Sequence, residues 1–294
     1  MRVLGFGDNI IDRFLDRGID YPGGNAVNVA VYARRRGAHA EYLGVFGDDD
    51  AGAFLRAAIE DAGVGTAHSV VRRGESGVSS LRVVDGDRTF LGWNGGGITV
   101  REPIDLGDGR EDYAAMFDVV HSSVYSGVED QLPRLREHDV LVSFDLSSEP
   151  AFRTPEYLGR VAPFADLVLL SCAELDLEQS FALLDEAVRH GAGLALGTRG
   201  VDGALVTDGR LRLTAPARLI DDEAEMVDTM GCGDAFVAGF LVSLHGDGWR
   251  RDRRPDAAAL QRALEAGADA ARDQCLVEGA FGRGRPTPAA ASMR

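Results

Sequence analysis

The sequence contains no lysine. All 31 basic residues of the 294-residue chain are arginine, and 47 acidic residues outnumber them to give a net charge of −16. Without a lysine amine, the chain has neither a Schiff-base mechanism nor a phosphate-binding loop of the Walker type. The negative charge argues against nucleic acid or an anionic membrane as a partner, because both bind basic surfaces.

Cysteine is scarce and long apolar runs are absent. The three cysteines, Cys172, Cys232 and Cys275, are far apart and form no CxxC pair, so neither a disulfide framework nor a zinc site is expected. No apolar run approaches the roughly 20 residues of a membrane span. Asp8 interrupts the short apolar stretch at 3–6, which is unlike a secretory signal. We therefore expect a cytoplasmic protein.

Strand and helix patterns alternate over most of the chain. Strand patterns at 3–7 and 41–46 are each followed by a helix pattern, at 24–36 and 51–62. The alternation resumes with strands at 119–121, 140–144, 167–170, 194–196, 204–206 and 211–213 and helices near 129–138, 156–163, 174–190, 233–245 and 256–276. This alternation predicts one α/β domain over residues 1–294, with a parallel sheet covered by helices.

One stretch has a different pattern. Residues 68–100 contain strand patterns without intervening helices, and Asp85-Gly86-Asp87 between two of them is a hairpin signal. We predict that 68–100 forms a small β-layer inserted into the domain and that 13–21 adds a strand to it. The tail at 283–294 is rich in Gly, Pro, Ala and Arg and is predicted to be disordered.

The most informative run is DTMGCGDAF at 228–236. The small residues Gly231, Cys232 and Gly233 allow close backbone approach to a ligand, and the apolar residues after them predict a buried helix. Their amides would then lie at a helix N-terminus, which favours anions such as a transferring phosphate. Asp234 at the same place can accept a proton from an attacking hydroxyl, so the run predicts phosphoryl transfer.

The alternative for this run is structural. Asp228 and Asp234 could cap helices, with the glycines making a turn. Two glycines, two aspartates and a buried helix coincide here, and this combination favours the functional interpretation.

A second run, GGNAVNVA at 23–30, points to a sugar-binding helix. Two glycines open the helix, and Asn25 and Asn28 lie three residues apart on one face of its first turn. Carboxamides both donate to and accept from sugar hydroxyls. A cap at Asn25 and a surface position for Asn28 explain the run equally well, so both interpretations stay open.

The two runs together resemble the signatures of the ribokinase-like carbohydrate kinases, the phosphofructokinase-B group. The C-terminal signature is usually Asp-Thr-x-Gly-Ala-Gly-Asp, and here Cys232 replaces the alanine. Asp12 and Gly24 match the N-terminal sugar-binding signature, and Gly44 to Asp49 matches a Gly-x-x-Gly-Asp-Asp segment. Lysine is common in ribokinases at the position of Asn25, where this chain departs.

The resemblance implies a Rossmann-type three-layer α/β/α core with a small β-sheet lid over the sugar, which 68–100 would supply. It also implies ATP and Mg²⁺ as cofactors, possible K⁺ near Asp228, and a sugar substrate. A homodimer through exposed lid strands is a further implication, because such edges invite pairing.

The nucleotide side is implied by weaker matches. Gly197, Gly200 and Gly203 resemble the family's nucleotide loop, and Gly267 and Cys275 lie on the last helix, where its adenine pocket forms. A plain turn and core packing explain these residues as well. Glu174 resembles the glutamate that organises Mg²⁺ through water, although its usual asparagine partner is Ser171 here and a solvated helix residue is the alternative.

Within the family, the runs GDN, GGNAVNVAVY and DTMG resemble the fructoselysine 6-kinases, which phosphorylate O6 of a fructosamine. Few residues separate these enzymes from fructokinases, ribokinases and nucleoside kinases, which are the alternatives. A non-catalytic sugar or nucleotide sensor on the same fold is a third hypothesis, against which the intact Gly-x-Gly-Asp argues.

Overall fold

A computed structural model describes residues 1–84, 87–221 and 225–289. Its strands are Arg2–Gly7 (β1), Ile10–Phe14 (β2), Ile19–Gly23 (β3), His39–Gly47 (β4), Val70–Arg72 (β5), Val78–Val84 (β6), Asp87–Trp93 (β7), Val119–Ser123 (β8), Leu141–Asp145 (β9), Leu167–Ser171 (β10), Leu194–Thr198 (β11), Ala204–Thr207 (β12), Arg212–Ala215 (β13) and Arg285–Pro286 (β14). Its α-helices are Asn25–Arg35 (α1), Asp50–Asp61 (α2), Gly97–Arg101 (α3), Arg110–Ala114 (α4), Leu132–Arg136 (α5), Pro155–Val161 (α6), Leu177–Arg189 (α7), Cys232–Gly246 (α8) and Ala257–Gln274 (α9).

Within the described residues, the larger sheet has nine strands in the order β13-β12-β11-β10-β9-β8-β1-β4-β5. Its seven strands β11, β10, β9, β8, β1, β4 and β5 pair in parallel, and the hairpin β12-β13 adds an antiparallel edge. Because the carboxyl ends of parallel strands share one edge, the residues that follow β1, β8 and β9 meet there. This mixed α/β sheet confirms the predicted fold class.

Helices cover both faces of this sheet. Successive strand residues such as Val3 and Leu4 are buried in two different clusters, one with α1, α2, α8 and α9 and the other with α3 to α7. Burial on both faces explains why the strands are continuous apolar runs. Across the described ranges, no helix is both long enough and apolar enough to cross a bilayer.

A second sheet of five strands, in the order β14-β3-β2-β6-β7, lies beside the core. The predicted layer at 68–100 is corrected in its first part, because β5 pairs in parallel with β4 and belongs to the large sheet. Local sequence does not separate β5 from its neighbours, since its partner is distant along the chain. The predicted strand at 13–21 is two antiparallel strands, β2 and β3. The predicted hairpin residues 85 and 86 lie outside the described residues.

The tail prediction is wrong for residues 283–289. Strand β14 pairs with β3, and the Thr287 amide donates to the Gly18 carbonyl at 2.9 Å. The Arg285 guanidinium lies 4.2 Å from the centre of the Phe54 ring and pairs with Asp50 at 2.8 Å. These partners are far away in the sequence, so local composition does not reveal them. Residues 290–294 of the predicted tail lie outside the described part of the chain.

Candidate active site

Asp234 lies at the start of a buried helix, as the sequence predicts. Helix α8 begins at Cys232, directly after Gly231, whose φ of +75° suits glycine. A Cβ atom on Gly231 would collide with the Tyr32 hydroxyl. In front of Gly233, by contrast, no described atom lies within 4 Å of where a Cβ would be. The helix therefore opens onto space that a ligand can enter.

The first amides of α8 are available to an anion. The first N–H groups of an α-helix have no acceptor within the helix. The Ala235 amide already makes the first helical bond, to the Gly231 carbonyl at 2.8 Å, and the Cys232 amide makes a longer one, 3.3 Å, to Thr229. The amides of Gly233 and Asp234 lie in this first turn of α8, where the helix dipole adds partial positive charge.

Both predicted asparagines contact the Asp234 carboxylate. The Asn25 Nδ2 atom donates to Asp234 Oδ1 at 2.8 Å, and the Asn28 Nδ2 atom donates to Asp234 Oδ2 at 2.7 Å. The two residues share the first turn of α1, as their spacing predicts. Helices α1 and α8 are therefore joined at this carboxylate, which keeps partial exposure to solvent.

Asn25 connects two further residues that sequence reasoning missed. Its Nδ2 also donates to Asp145 Oδ2 at 2.6 Å, and its Oδ1 lies 2.7 Å from His121 Nε2. Because that oxygen can only accept, His121 carries its proton on Nε2, and Nδ1 accepts from the Ser143 hydroxyl at 2.9 Å. His121 and Asp145 lie on β8 and β9, and the parallel pairing of β1 with β8 and of β8 with β9 places them here.

Asp8 is the third residue that sequence reasoning missed. Its carboxylate accepts the backbone amides of Asn25 and Ala26 and the hydroxyls of Ser123 and Ser126 at 2.9 and 2.7 Å. It thereby caps α1, whose N-cap residue is a glycine without a side chain. An aspartate directly after the first buried strand is the sequence signal that could have identified it.

The remaining acceptor-side predictions lie at the same entrance. Gly24 has a φ of +114° and packs against the backbone of Asn9. A Cβ atom on Gly24 would lie only 2.7 Å from the Asn9 Cα atom. Asp12 is buried on β2, and a Cβ atom on Gly23 would lie 2.4 Å from its Oδ2 atom. Gly23 ends β3, so the Asp12 carboxylate lies where the smaller sheet leads into α1.

Burial and like charge shift the site's pKa values. Burial, followed by the repulsion of Asp145, raises the pKa of Asp234 well above its usual value. Burial also raises the pKa of Asp145 to about 6. The pKa of His121 falls to about 3 because the ring is buried, so this histidine is neutral at physiological pH. A raised pKa makes Asp234 a stronger base once it is ionised.

Asp228 is tied to the turn before α8. Its carboxylate accepts from the amides of Met230 at 3.0 Å and Gly279 at 3.2 Å, and Arg17 lies 3.4 Å away. A monovalent cation at this carboxylate would compete with the Arg17 guanidinium, and the predicted K⁺ contact remains a prediction.

The predicted nucleotide-side residues are more dispersed. Gly197 is packed against the side chains of Leu184 and Leu205, and Gly200 faces open space. Gly203 lies against the Ala215 carbonyl. Gly267 is buried where α9 meets α8, and a Cβ there would lie 2.6 Å from the Phe236 ring. The nucleotide contacts of these glycines remain predictions.

Glu174 is exposed, in a turn that precedes α7. The helix predicted from 174 begins three residues later, at Leu177, where Asp176 supplies a capping box with Gln179. An exposed carboxylate near the carboxyl end of β10 fits a contact to Mg²⁺ through water. Within the three described ranges, no three His, Cys, Asp or Glu side chains are grouped to hold a metal ion.

The sequence profile described as pfkB family carbohydrate kinase matches residues 17–279. The chain is a member of the PfkB family. A 34% identical relative, covering 97% of this chain and 95% of its own length, is the fructosamine kinase FrlD of Bacillus subtilis strain 168. Another, fructoselysine 6-kinase of Escherichia coli strain K12, is 32% identical over 80% of this chain and 86% of its own length.

Solved structures support the fold of this PfkB kinase. The adenosine kinase of Sinorhizobium meliloti superposes with a TM-score of 0.75 at 20% identity, over 99% of this chain and 97% of that one. The aminoimidazole riboside kinase of Salmonella enterica, complexed with aminoimidazole riboside and an ATP analog, superposes with a TM-score of 0.70 at 24% identity. This superposition covers 98% of this chain and 97% of that one. Family membership makes this chain an ATP-dependent carbohydrate kinase, which confirms the predicted enzyme class.

Proposed function

We propose that this PfkB kinase transfers the γ-phosphate of ATP to O6 of a fructosamine such as fructoselysine. The observation that carries the proposal is the Asp234 carboxylate at the mouth of α8, held by Asn25 and Asn28 at 2.8 and 2.7 Å. The names of the two fructosamine-type relatives support the acceptor.

Asp234 acts as the general base. Its carboxylate accepts the O6 proton while O6 attacks the γ-phosphorus, and the bond from that phosphorus to the β-phosphate oxygen breaks to release ADP. The backbone amides at 231–233, assisted by that of Asp234, receive the charge on the transferring group. Mg²⁺ would neutralise the phosphates, with Glu174 holding it through water and Gly200 and Gly203 beside the nucleotide.

Two buried carboxamide oxygens support a hydroxyl-rich acceptor. Within the described ranges, Asn28 Oδ1 and Asn9 Oδ1 are buried and have no hydrogen-bond partner. Leaving a buried acceptor unsatisfied costs about 1–3 kcal/mol, and a sugar hydroxyl would remove that cost. Asn28 would thus orient both the base, through Nδ2, and the sugar, through Oδ1, while Asp12 binds a second hydroxyl.

The charge of the site supports an acceptor that carries an amine. Four carboxylates, those of Asp8, Asp12, Asp145 and Asp234, are close enough for the first three to raise the pKa of the fourth. A protonated amine on the acceptor would reduce this repulsion, whereas fructose and ribose bring no charge. This difference favours a fructosamine over a neutral sugar.

The smaller sheet would act as a lid that excludes water from the transfer. Its edge strand β7 carries exposed apolar side chains, including Phe90 at 62% and Trp93 at 53% exposure. Such an edge could pair with a second copy of the chain, which supports the predicted homodimer.

A panel of acceptors tests the proposal. ADP release would be measured with fructoselysine, 1-acetamido-1-deoxyfructose, fructose, ribose and adenosine at equal concentrations. We expect the highest kcat/KM for fructoselysine and a lower value for the acetamide, which has the same sugar without the charge. Preference for fructose, ribose or adenosine would assign the enzyme to one of the alternative kinases. ATP binding without ADP release from any acceptor would indicate a sensor.

A further inference from the structure

Two of the three cysteines lie in contact beside the phosphate-binding turn. The Sγ atoms of Cys232 and Cys275 are 3.3 Å apart. Cys232 opens α8, and Cys275 follows the last residue of α9. Both side chains are half-buried, whereas the third cysteine, Cys172, is fully buried in the core. Small oxidants can therefore reach the pair more easily than the third thiol.

Backbone and side-chain bonds hold the two cysteines together. The Val227 amide donates to the Cys275 carbonyl at 2.8 Å, just before the turn. The buried Gln274 side chain donates to the Met230 carbonyl at 3.0 Å and to the Gly279 carbonyl at 2.8 Å. Because the turn and the end of α9 are linked on both sides of the thiols, the sulfur atoms stay near each other as the surface fluctuates.

We propose that Cys232 and Cys275 form a reversible disulfide when hydrogen peroxide oxidises the protein, and that this bond impairs phosphate binding at the start of α8. One thiolate attacks the peroxide, which gives a sulfenic acid and, after protonation, water. The other thiol displaces the sulfenic hydroxyl as a second water. In total, two thiols lose two electrons and two protons, and one peroxide is reduced to two waters.

Cys275 is the better candidate for the first step. A hydrogen bond from the Cys232 thiol lowers the pKa of Cys275 to about 7, so a sizeable fraction is thiolate at neutral pH. Burial raises the pKa of Cys172, which keeps that thiol protonated. Cys232 would then be the resolving thiol.

The bond would displace the phosphate-binding turn. A disulfide holds its sulfurs about 2.05 Å apart, so the two atoms must approach by more than an ångström. Cys232 is the first residue of α8, so this movement draws the adjacent amides toward α9. Loss of one amide-to-phosphate hydrogen bond weakens binding about tenfold. This effect on phosphate binding rests on the proposed role of residues 231–233, whereas formation of the bond does not.

The test compares the reduced and peroxide-treated protein. Thiols would be counted after denaturation, the cross-linked peptide identified by mass spectrometry, and the affinity for the Mg complex of β,γ-imido-ATP, which carries a γ-phosphate, measured by calorimetry. We expect the wild type to fall from three thiols to one, to bind the ATP analogue about tenfold more weakly, and to recover with dithiothreitol. Each variant is compared with its own reduced form.

Three single variants decide the assignment. Cys172→Ser is the matched control and should lose two thiols, as the wild type does. Cys232→Ser and Cys275→Ser should form no intramolecular disulfide and should bind the ATP analogue after treatment as tightly as in their reduced forms. If the oxidised wild type contains no 232–275 cross-link, the proposed bond is overturned, and if the cross-linked protein binds the ATP analogue with unchanged affinity, its proposed effect is overturned. If the cross-link forms but the reduced enzyme phosphorylates no acceptor, only the proposed function fails.

Discussion

The two sides of the proposed cleft differ in how their residues are held. On the acceptor side, Asp234, Asn25, Asn28, Asp145 and His121 form one hydrogen-bonded group with distances of 2.6 to 2.8 Å. On the nucleotide side, the predicted residues are small or exposed and lie apart, in a strand, in turns and in helix α9. In the proposed mechanism, side chains would position the acceptor and its base, whereas mostly backbone would receive the nucleotide. Single side-chain substitutions should therefore reduce turnover more on the acceptor side than on the nucleotide side.

The largest effect is expected at Asp234. Asp234→Asn keeps the size of the side chain but removes the base, so turnover should fall by at least about 100-fold, the low end for a general base. ADP affinity by calorimetry should stay near the wild-type value. Asp247→Asn, at the opposite, exposed end of α8, is the matched control and should turn over normally. Near-normal turnover in Asp234→Asn would remove the residue from the chemistry.

Asp145 should cost stability when it is ionised. Its pKa is raised from 3.8 to about 6, so the folded state binds the proton more tightly than the unfolded state, and stability is lost as the pH rises from about 4 to about 6. The unfolding free energy of Asp145→Asn minus that of the wild type should therefore increase by about 2 kcal/mol from pH 4 to pH 8. Urea unfolding at both pH values measures it. A pH-independent difference would contradict the burial of this charge.

The two asparagines should fail in different ways. Asn25→Ala leaves Asp145 and Asp234 without the amide between them, and loss of a charged hydrogen bond of about 2 kcal/mol predicts a roughly 30-fold lower kcat. Asn28→Ala should lower kcat as well, because its Nδ2 also holds Asp234, and should in addition raise KM, because its Oδ1 is proposed to bind the sugar. Steady-state kinetics on fructoselysine separates the two cases. Equal changes in both variants would show that the network acts only as structure.

The smallest effect is expected at Glu174 on the nucleotide side. Because this exposed carboxylate would act through water, Glu174→Gln should raise the Mg²⁺ concentration for half-maximal activity by at most about tenfold. Glu178→Gln, an exposed glutamate of the following helix, is the control and should cause no change. If Glu174→Gln lost as much turnover as Asp234→Asn, substitutions on the nucleotide side would not be less harmful than those on the acceptor side, and the comparison would fail.

The core of the fold could be predicted from the sequence because its signals are local. Alternating strands and helices, and the runs at 23–30 and 228–236, are contiguous and locate the large sheet, α1 and α8. The membership of β5 in the large sheet and the order of 283–289 depend on partners far along the chain. Local composition carries no information about such pairings.

For the same reason, the sequence identifies only some of the residues of the candidate site. Asn25, Asn28 and Asp234 lie in glycine-rich runs that mark a ligand, whereas His121 lies in the middle of β8 and Asp145 at the end of β9, with no such run beside them. Their position at the site arises from the order of β1, β8 and β9 in the sheet. Polar residues in the carboxyl halves of neighbouring central strands are the pattern that could have identified them.

The pH dependence of kcat tests most directly whether Asp234 is a base tuned by burial and by Asp145. Burial and like charge raise the pKa of Asp234, so turnover should fall on acidification at a pH above the usual carboxylate range of about 4. Asp145→Asn removes the like charge and should move this fall to lower pH. A fall at the usual carboxylate pH that is unmoved in Asp145→Asn would contradict the account.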